Sequence, residues 1–208
     1  MLKEEDYRLI GLIAEERTGK STYIKQNIIE SGAYDWRTQR CLILTEAEPS
    51  CYAGIKRVDS YDMLKKFSRG IIKFWDKNAK DEFDMMHKIR QLLQDGYLQN
   101  GLFVMEDAGI YLQPNTPSEI RSVVLSRRMF KIDVVAVFHS FRDYPAFMRR
   151  RTNHFIVGKN LDTITDAKEL ARMQFPNAQG LYDAHTAIQQ RVAASGNRFI
   201  KQVVNTGT

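Results

Sequence analysis

Short apolar runs alternate with longer stretches of helical periodicity along most of the chain. The apolar runs predict strands at 7–14, 41–45, 71–75, 101–106, 132–139 and 154–158. Several of them are continuously apolar, which is typical of strands that are buried on both faces of a parallel sheet. Helices are predicted between them at 19–30, 81–95, 117–130 and 163–174. This alternation predicts an α/β fold with a mainly parallel central sheet flanked by helices.

The length of the chain limits its domain organisation. At 208 residues, it is long enough for one substantial hydrophobic core. We therefore expect a single domain over 1–208, with a core at 7–160 and a C-terminal helix and edge-strand region at 161–208. Residues 176–208 are less regular, and the stretch Asn-Arg-Phe-Ile-Lys-Gln-Val-Val predicts a last edge strand ahead of a frayed tail.

Composition is that of a soluble globular protein, with 43% hydrophobic and 27% charged residues. No apolar run approaches the roughly 18 residues that a membrane span requires. The acidic start of the chain lacks the features of a signal peptide, so we expect a cytoplasmic protein. Neither Cys41 nor Cys51 belongs to a C-x-x-C pair, which argues against a zinc site or a disulfide framework.

The net charge of +6 permits contact with nucleic acid without requiring it. Nine basic residues fall between 121 and 160, against only two acidic ones. The most compact basic run is Arg149, Arg150 and Arg151, which we expect to contact nucleic acid or an adjacent subunit. A solvated basic surface is the alternative interpretation.

Residues 14–22 carry the most informative motif. The candidate nucleotide-binding residues are Ala14, Glu15, Glu16, Arg17, Thr18, Gly19, Lys20, Ser21 and Thr22. They have the spacing of the phosphate-binding loop G-x-x-x-x-G-K-[ST] between a strand and a helix, with alanine at the first glycine. In such a loop, backbone N–H groups hold phosphate oxygens, the lysine reaches the β- and γ-phosphates, and the Ser21 hydroxyl binds Mg²⁺.

Hydrolysis also requires acidic groups at the end of a neighbouring buried strand. Glu106 and Asp107 follow the apolar residues Leu-Phe-Val-Met, in the reverse of the usual order Asp-Glu. If roles follow position, Glu106 holds Mg²⁺ through water and Asp107 orients the attacking water. An acidic strand end that caps the next segment is the competing interpretation.

The next predicted strand ends in His139. ATPases with an extra strand between the loop strand and the acidic strand carry a polar sensor at this place, facing the γ-phosphate. Arg128 lies eleven positions earlier, where arginines that neutralise charge on a neighbouring subunit's ATP are often found. Arg127 is the competing candidate, and a solvated surface is the alternative for both arginines.

These motifs resemble the compact viral and mobile-element branch of the FtsK/HerA-type P-loop ATPases. That branch includes genome-packaging ATPases of tailless, membrane-containing viruses, and the zonular-occludens-toxin-like assembly ATPases are close neighbours. The resemblance covers 7–160 and rests on the loop, the acidic strand and the block from Arg128 to His139. Family members continue with a short helix, basic residues and one more strand, which 142–159 match.

The resemblance implies a RecA-like core, ATP and Mg²⁺ as ligands, and a ring oligomer that is usually a hexamer. It also implies ATP-driven movement of double-stranded DNA, with a virion portal or membrane protein as a docking partner. The sequence departs from the family at Ala14, at the order of Glu106 and Asp107, and at His139, where glutamine is common.

The leading prediction is therefore an ATP-hydrolysing DNA translocase that packages a viral or mobile-element genome. A filamentous-phage-type assembly ATPase is a related alternative, but such proteins commonly carry a transmembrane segment. A P-loop kinase, with the Arg-rich run as a lid, and a nucleotide-binding protein without turnover are alternatives from other classes.

Overall fold

The computed structural model describes residues 7–47 and 49–206. Within them, eight strands form one sheet: β1 Leu9–Ile13, β2 Arg40–Leu44, β3 Lys56–Val58, β4 Gly70–Phe74, β5 Leu102–Met105, β6 Asp133–Phe138, β7 His154–Gly158 and β8 Lys201–Asn205. The strand order is β3-β4-β2-β5-β6-β1-β7-β8. Neighbouring strands are parallel except for β8, which runs antiparallel to β7. The predicted mainly parallel α/β fold is confirmed.

The α-helices of the same residues are α1 Lys20–Ile24, α2 Tyr61–Lys65, α3 Glu82–Gln94, α4 Ser118–Leu125, α5 Arg127–Phe130, α6 Ala146–Arg149, α7 Ala167–Arg172 and α8 Ala178–Ser195. A π-helical turn at Lys25–Ile29 prolongs α1, and 3₁₀ turns lie at Ser50–Tyr52 and Ala108–Ile110. None of the helices in the described part of the chain is both long and apolar enough to cross a membrane.

The sheet is covered on both faces, as the continuously apolar strands predicted. Every residue of β1, β5 and β6 is buried. Alternate residues serve opposite faces, because side chains alternate across a strand. Leu9 and Ile13 belong to the larger apolar cluster, whereas Ile10 and Leu12 belong to the smaller one on the other face.

Four helical and terminal features differ from the sequence predictions. The predicted helix 117–130 is divided at Ser126 into α4 and α5, and 163–174 is helical only at Ala167–Arg172. The expected irregularity of 176–208 is wrong, since α8 fills most of it. The predicted edge strand is present as β8. Its tail is held by Thr206, whose hydroxyl donates to the Thr152 carbonyl at 2.8 Å, while 207 and 208 lie outside the described residues.

Weak amphipathic patterns explain the elements that were missed. Helix α8 buries only Leu181, Ala184, His185 and Ile188, and two of these four are not large apolar residues. Strand β3 is an edge strand of three residues with a single buried position, Val58. Such short or weakly patterned elements form through tertiary contacts more than through local preference.

Candidate active site

The carboxyl ends of the parallel strands meet at one edge of the sheet. The phosphate-binding loop follows β1, Glu106 and Asp107 follow β5, and His139 follows β6, which lies between β5 and β1. A cavity of about 450 Å³ opens there. Its lining includes Glu16, Arg17, Gly19, Lys20, Ser21, Thr22, Thr45, Glu106, Asp107 and His139. The fold thus brings the predicted loop, acidic pair and histidine together.

The loop is a closed turn that is also attached to the end of β6. The Ala14 N–H donates to the Phe138 carbonyl at 3.1 Å, and the Thr18 hydroxyl donates to the Glu15 carbonyl at 2.7 Å. Gly19 has φ 74° and Arg17 has φ 58°, so the chain enters the left-handed region twice. The glycine suits that conformation because it has no Cβ atom.

The structure explains how alanine occupies the place of the usual first glycine. Ala14 is buried, and its Cβ lies against Gly158 of β7. A Cβ atom at position 158 would stand 2.8 Å from that of Ala14, closer than real side chains approach. The glycine on the neighbouring strand therefore provides the space that the Ala14 methyl group needs.

Lys20 points back over its own loop. Its Nζ atom donates to the carbonyl oxygens of Ala14 at 3.0 Å and Glu15 at 3.2 Å, and it lies 3.1 Å from Nδ1 of His139. Lys20 is buried, and this burial lowers its pKa, against the opposing effect of nearby Asp107 and Glu106. A buried cation held only by neutral partners is well placed to receive an anionic ligand.

Glu106 lies beside the loop serine. It is 6% exposed, and Oε1 accepts a hydrogen bond from the Tyr52 hydroxyl at 2.7 Å. Burial raises its pKa, whereas hydrogen bonds from Tyr52 and Ser21 act in the opposite direction. A hydroxyl and a carboxylate side by side form an oxygen donor set that suits Mg²⁺.

Asp107 differs from Glu106 in exposure and in backbone conformation. Its side chain is 47% exposed and Oδ1 lies 3.1 Å from Nε2 of His139. That hydrogen bond is the main reason why the pKa of Asp107 is lowered. The backbone has φ 48°, a left-handed conformation that Asp and Asn adopt more readily than most residues. Lys20, His139 and Asp107 therefore form one hydrogen-bonded chain across the cavity.

The two candidate arginines have different environments. Arg127 is buried and donates to the carbonyls of Tyr7 and Arg151 and to the Asn153 side chain, at 2.9–3.1 Å. It therefore joins three segments of the fold. Arg128 is exposed. Helix α5 lies at the amino end of β6, about 20 Å along the strand from the cavity at 3.3 Å per residue, so Arg128 cannot reach the loop of its own chain.

The three arginines of the basic run 149–151 differ in their contacts and in their exposure. Arg149 donates to the carbonyls of Tyr144 and Met173, at 3.0 and 2.5 Å, and its guanidinium lies over the Phe175 ring. The Arg149 guanidinium therefore makes its contacts within the fold. Arg150 and Arg151 are exposed, at the amino end of β7 and thus on the same edge of the sheet as Arg128.

Sequence reasoning missed several residues at the site. Thr45 directly follows β2 and lines the cavity, and Tyr52 donates to Glu106. Glu15 faces Lys159 and Arg198 rather than the cavity, with nitrogen–oxygen distances of 2.9 and 2.6 Å. The basic and aromatic residues at 198–201 were the sequence signal for the contact between the C-terminal segment and Glu15. A local pattern does not show which residue such a segment contacts.

Comparison with known proteins bears on the fold. No protein-family model and no curated protein sequence matches the chain. Among solved structures, the genome packaging NTPase B204 from Sulfolobus turreted icosahedral virus 2, in complex with AMP, has a TM-score of 0.69. It is 10% identical over 99% of this chain and 95% of that chain. The DNA-packaging ATPase B204 from Sulfolobus turreted icosahedral virus has a TM-score of 0.67 at 12% identity, over 98% of this chain and 94% of that chain. The chain shares its fold with these two viral packaging proteins.

This likeness confirms the RecA-like P-loop fold that the motifs implied. It extends over nearly the whole of each chain, and therefore includes the C-terminal region as well as the 7–160 core. A third structure of the same kind contains ATP-γ-S, with a TM-score of 0.65 at 11% identity over 88% of this chain and 87% of that chain. At such identities the likeness concerns the fold, and the chemistry must be argued from this chain's own residues.

Proposed function

We propose that this protein is an ATP-hydrolysing DNA translocase that packages a viral or mobile-element genome. The observation that carries the proposal is the chain Lys20–His139–Asp107 beside the pair Ser21–Glu106, in one cavity behind a phosphate-binding loop. Solved structures of this fold are described as packaging NTPases with bound nucleotides, which supports the same assignment.

The residues have distinct roles in this proposal. Lys20 exchanges its two loop carbonyls for the β- and γ-phosphate oxygens of ATP. The Ser21 hydroxyl and the Glu106 carboxylate would hold Mg²⁺, with Glu106 acting through water. Bound Mg²⁺ supplies positive charge to the phosphates. Asp107 accepts a hydrogen bond from the attacking water and orients it toward the γ-phosphorus, while His139 senses the γ-phosphate.

A ring oligomer, most simply a hexamer, completes the site. Arg128 lies on the edge of the sheet opposite to the cavity, so a head-to-tail contact is needed to bring it to the γ-phosphate of a neighbouring subunit. Arg150 and Arg151 share that edge and are the proposed contacts to double-stranded DNA or to the neighbouring subunit. A virion portal or membrane protein is the proposed docking partner of the ring.

The decisive experiment measures ATP hydrolysis with and without double-stranded DNA. We expect hydrolysis that DNA stimulates and that Lys20→Ala abolishes, with unchanged thermal unfolding of the variant. Phosphate transfer that requires a small acceptor molecule would instead identify a kinase. Binding of ATP without any turnover would identify a nucleotide-binding protein, and the motor assignment would be wrong in both cases.

A further inference from the structure

The segment between α8 and β8 lies directly on the phosphate-binding loop. Arg198 Nη2 is 2.6 Å from Glu15 Oε1, and Lys201 Nζ donates to the Thr18 carbonyl at 2.5 Å. The aliphatic part of Lys201 packs against Gly158, where an added Cβ atom would stand 2.9 Å from its Cδ atom. Arg198 and Lys201, on either side of Phe199 in the sequence, thus attach this segment to a loop that lies far earlier in the chain.

Phe199 is held against the loop but is not covered. Its Cδ1 atom lies 2.9 Å from the position that a Cβ atom of Gly19 would occupy, so the ring rests on the α-carbon of that glycine. The residue is nevertheless 66% exposed. Its backbone N–H donates to the Asn197 side chain at 2.9 Å, which fixes the turn that presents the ring. The ring is therefore held against the loop with most of its surface open to a ligand.

The strand order shows which part of a nucleotide would reach this ring. Glu106, Asp107 and His139 approach the loop from the side of β5 and β6, and they identify the end of the cavity that takes the γ-phosphate. Phe199 approaches from the opposite side, where β7 and β8 lie. A triphosphate that lies along the loop, with its γ-phosphate toward β5 and β6, directs its nucleoside toward β7 and β8.

We propose that Phe199 is the platform on which the base of the bound nucleoside triphosphate stacks. Arg198 and Lys201 are positioning residues that hold the platform against the loop. This inference rests on the proposed nucleotide site and adds the part that recognises the nucleoside. Stacking on one aromatic face tolerates different bases, because every base has a π-face.

Binding measurements without turnover test the platform. Calorimetry compares ATP-γ-S with inorganic tripolyphosphate, which has the phosphates but no base. We expect Phe199→Ala to weaken ATP-γ-S binding by about 5- to 150-fold and to leave tripolyphosphate binding unchanged. Phe199→Tyr keeps the ring and should retain both affinities. Val203→Ala is the matched control, since Val203 is also an exposed apolar residue of the same C-terminal segment.

The positioning role of Arg198 has its own test. Arg198→Ala should weaken ATP-γ-S binding when Phe199 is present and should have no further effect in a Phe199→Ala background. Arg198→Lys should restore the affinity in part. Equal losses in both backgrounds would show that Arg198 does not act through the ring.

Three results would overturn the platform. Unchanged ATP-γ-S binding by Phe199→Ala would do so, and so would an equal loss of ATP-γ-S and tripolyphosphate, which would assign the ring to packing of the loop. In both cases Lys20→Ala still loses both ligands, so the proposed nucleotide site survives. If the unaltered protein binds neither ligand, the proposed function and this inference are both wrong.

Discussion

Lys20 and His139, which are 119 positions apart in the chain, lie with Nζ 3.1 Å from Nδ1. The lysine ammonium is a donor only, so the neutral imidazole accepts at Nδ1 and carries its proton on Nε2, which donates to Asp107. One imidazole therefore connects the loop lysine with the proposed water-orienting carboxylate. A γ-phosphate that draws Lys20 away from His139 changes the hydrogen bonding of Asp107 in the same step.

His139→Ala should lower kcat by about 100-fold while the affinity for ATP changes little. The variant loses the connection between Lys20 and Asp107 but keeps the loop. His139→Gln should retain much of the activity, because an amide also accepts and donates. Steady-state kinetics with separate kcat and KM values measure the effect, and normal kcat in the alanine variant would contradict it.

The acidic pair should separate into two phenotypes. Asp107→Asn should bind ATP normally and lower kcat by about 100-fold, because the carboxylate that orients water is lost. Asparagine also adopts the left-handed backbone that position 107 requires, so the fold is preserved.

The Glu106 variant is tested by measuring activity as a function of the Mg²⁺ concentration. Glu106→Gln should need about tenfold more Mg²⁺, because its contact through water is weakened. If the two phenotypes are exchanged, the roles assigned by position are reversed.

Arg128→Ala should lower turnover by about 1000-fold, because a trans-acting arginine neutralises charge that develops in the transition state. Arg127 is no suitable substitute, since it is buried and bound to carbonyl groups. Turnover per chain of the unaltered protein should rise with protein concentration as subunits assemble.

A mixing experiment distinguishes action in trans from action in cis. Lys20→Ala subunits keep Arg128, and Arg128→Ala subunits keep Lys20, so some interfaces in a mixed ring contain both residues. Two inactive parents should therefore regain partial activity together. Co-assembly without any recovered activity would show that Arg128 does not act on the ATP of a neighbouring subunit.

The exposed arginines should determine the salt dependence of DNA binding. Each phosphate contact contributes about 0.9 to the slope of log affinity against log salt, so Arg150→Ala with Arg151→Ala should reduce the slope by about 2. Arg172→Ala, an exposed arginine on α7, is the control. Arg149→Ala is unsuitable for this purpose, because Arg149 packs on Phe175 and should lower the melting temperature. An unchanged slope in the double variant would show that Arg150 and Arg151 are solvated surface residues that do not contact DNA.

Lys201 should contribute to the pH dependence of stability. Burial, together with the nearby charge of Lys20, lowers its pKa from 10.5 to about 8. Above pH 8 the unfolded chain therefore holds a proton that the folded chain has released, and the free energy of unfolding rises with pH. Lys201→Met should flatten this rise between pH 8 and roughly 9.5, below the ordinary pKa of tyrosine. Denaturant unfolding at each pH measures the free energy of unfolding, and Lys168→Met, at an exposed position, is the control. An equal slope of this free energy against pH in the two variants would contradict the expectation.

Local pattern was sufficient to predict most strands of the sheet and to propose the candidate site residues. Buried parallel strands are continuously apolar, and the loop must place a glycine, a lysine and a hydroxyl together, so strands near β1, β5 and β6 and residues such as Lys20 and Glu106 were predictable. Helix α8 and strand β3 were not predictable, because their own patterns are weak and their burial comes from the rest of the fold.

A phosphate-binding loop motif, an acidic strand end and a histidine strand end can be recognised in this order along the chain, because each is a property of neighbouring residues. Three relationships become visible only in the folded chain: Gly158 makes room for Ala14, Arg127 is buried while Arg128 is exposed, and Phe199 rests on Gly19. These relationships join positions as far apart as 19 and 199. They depend on which strands become neighbours and on how far each side chain reaches. A local sequence pattern does not determine either of these.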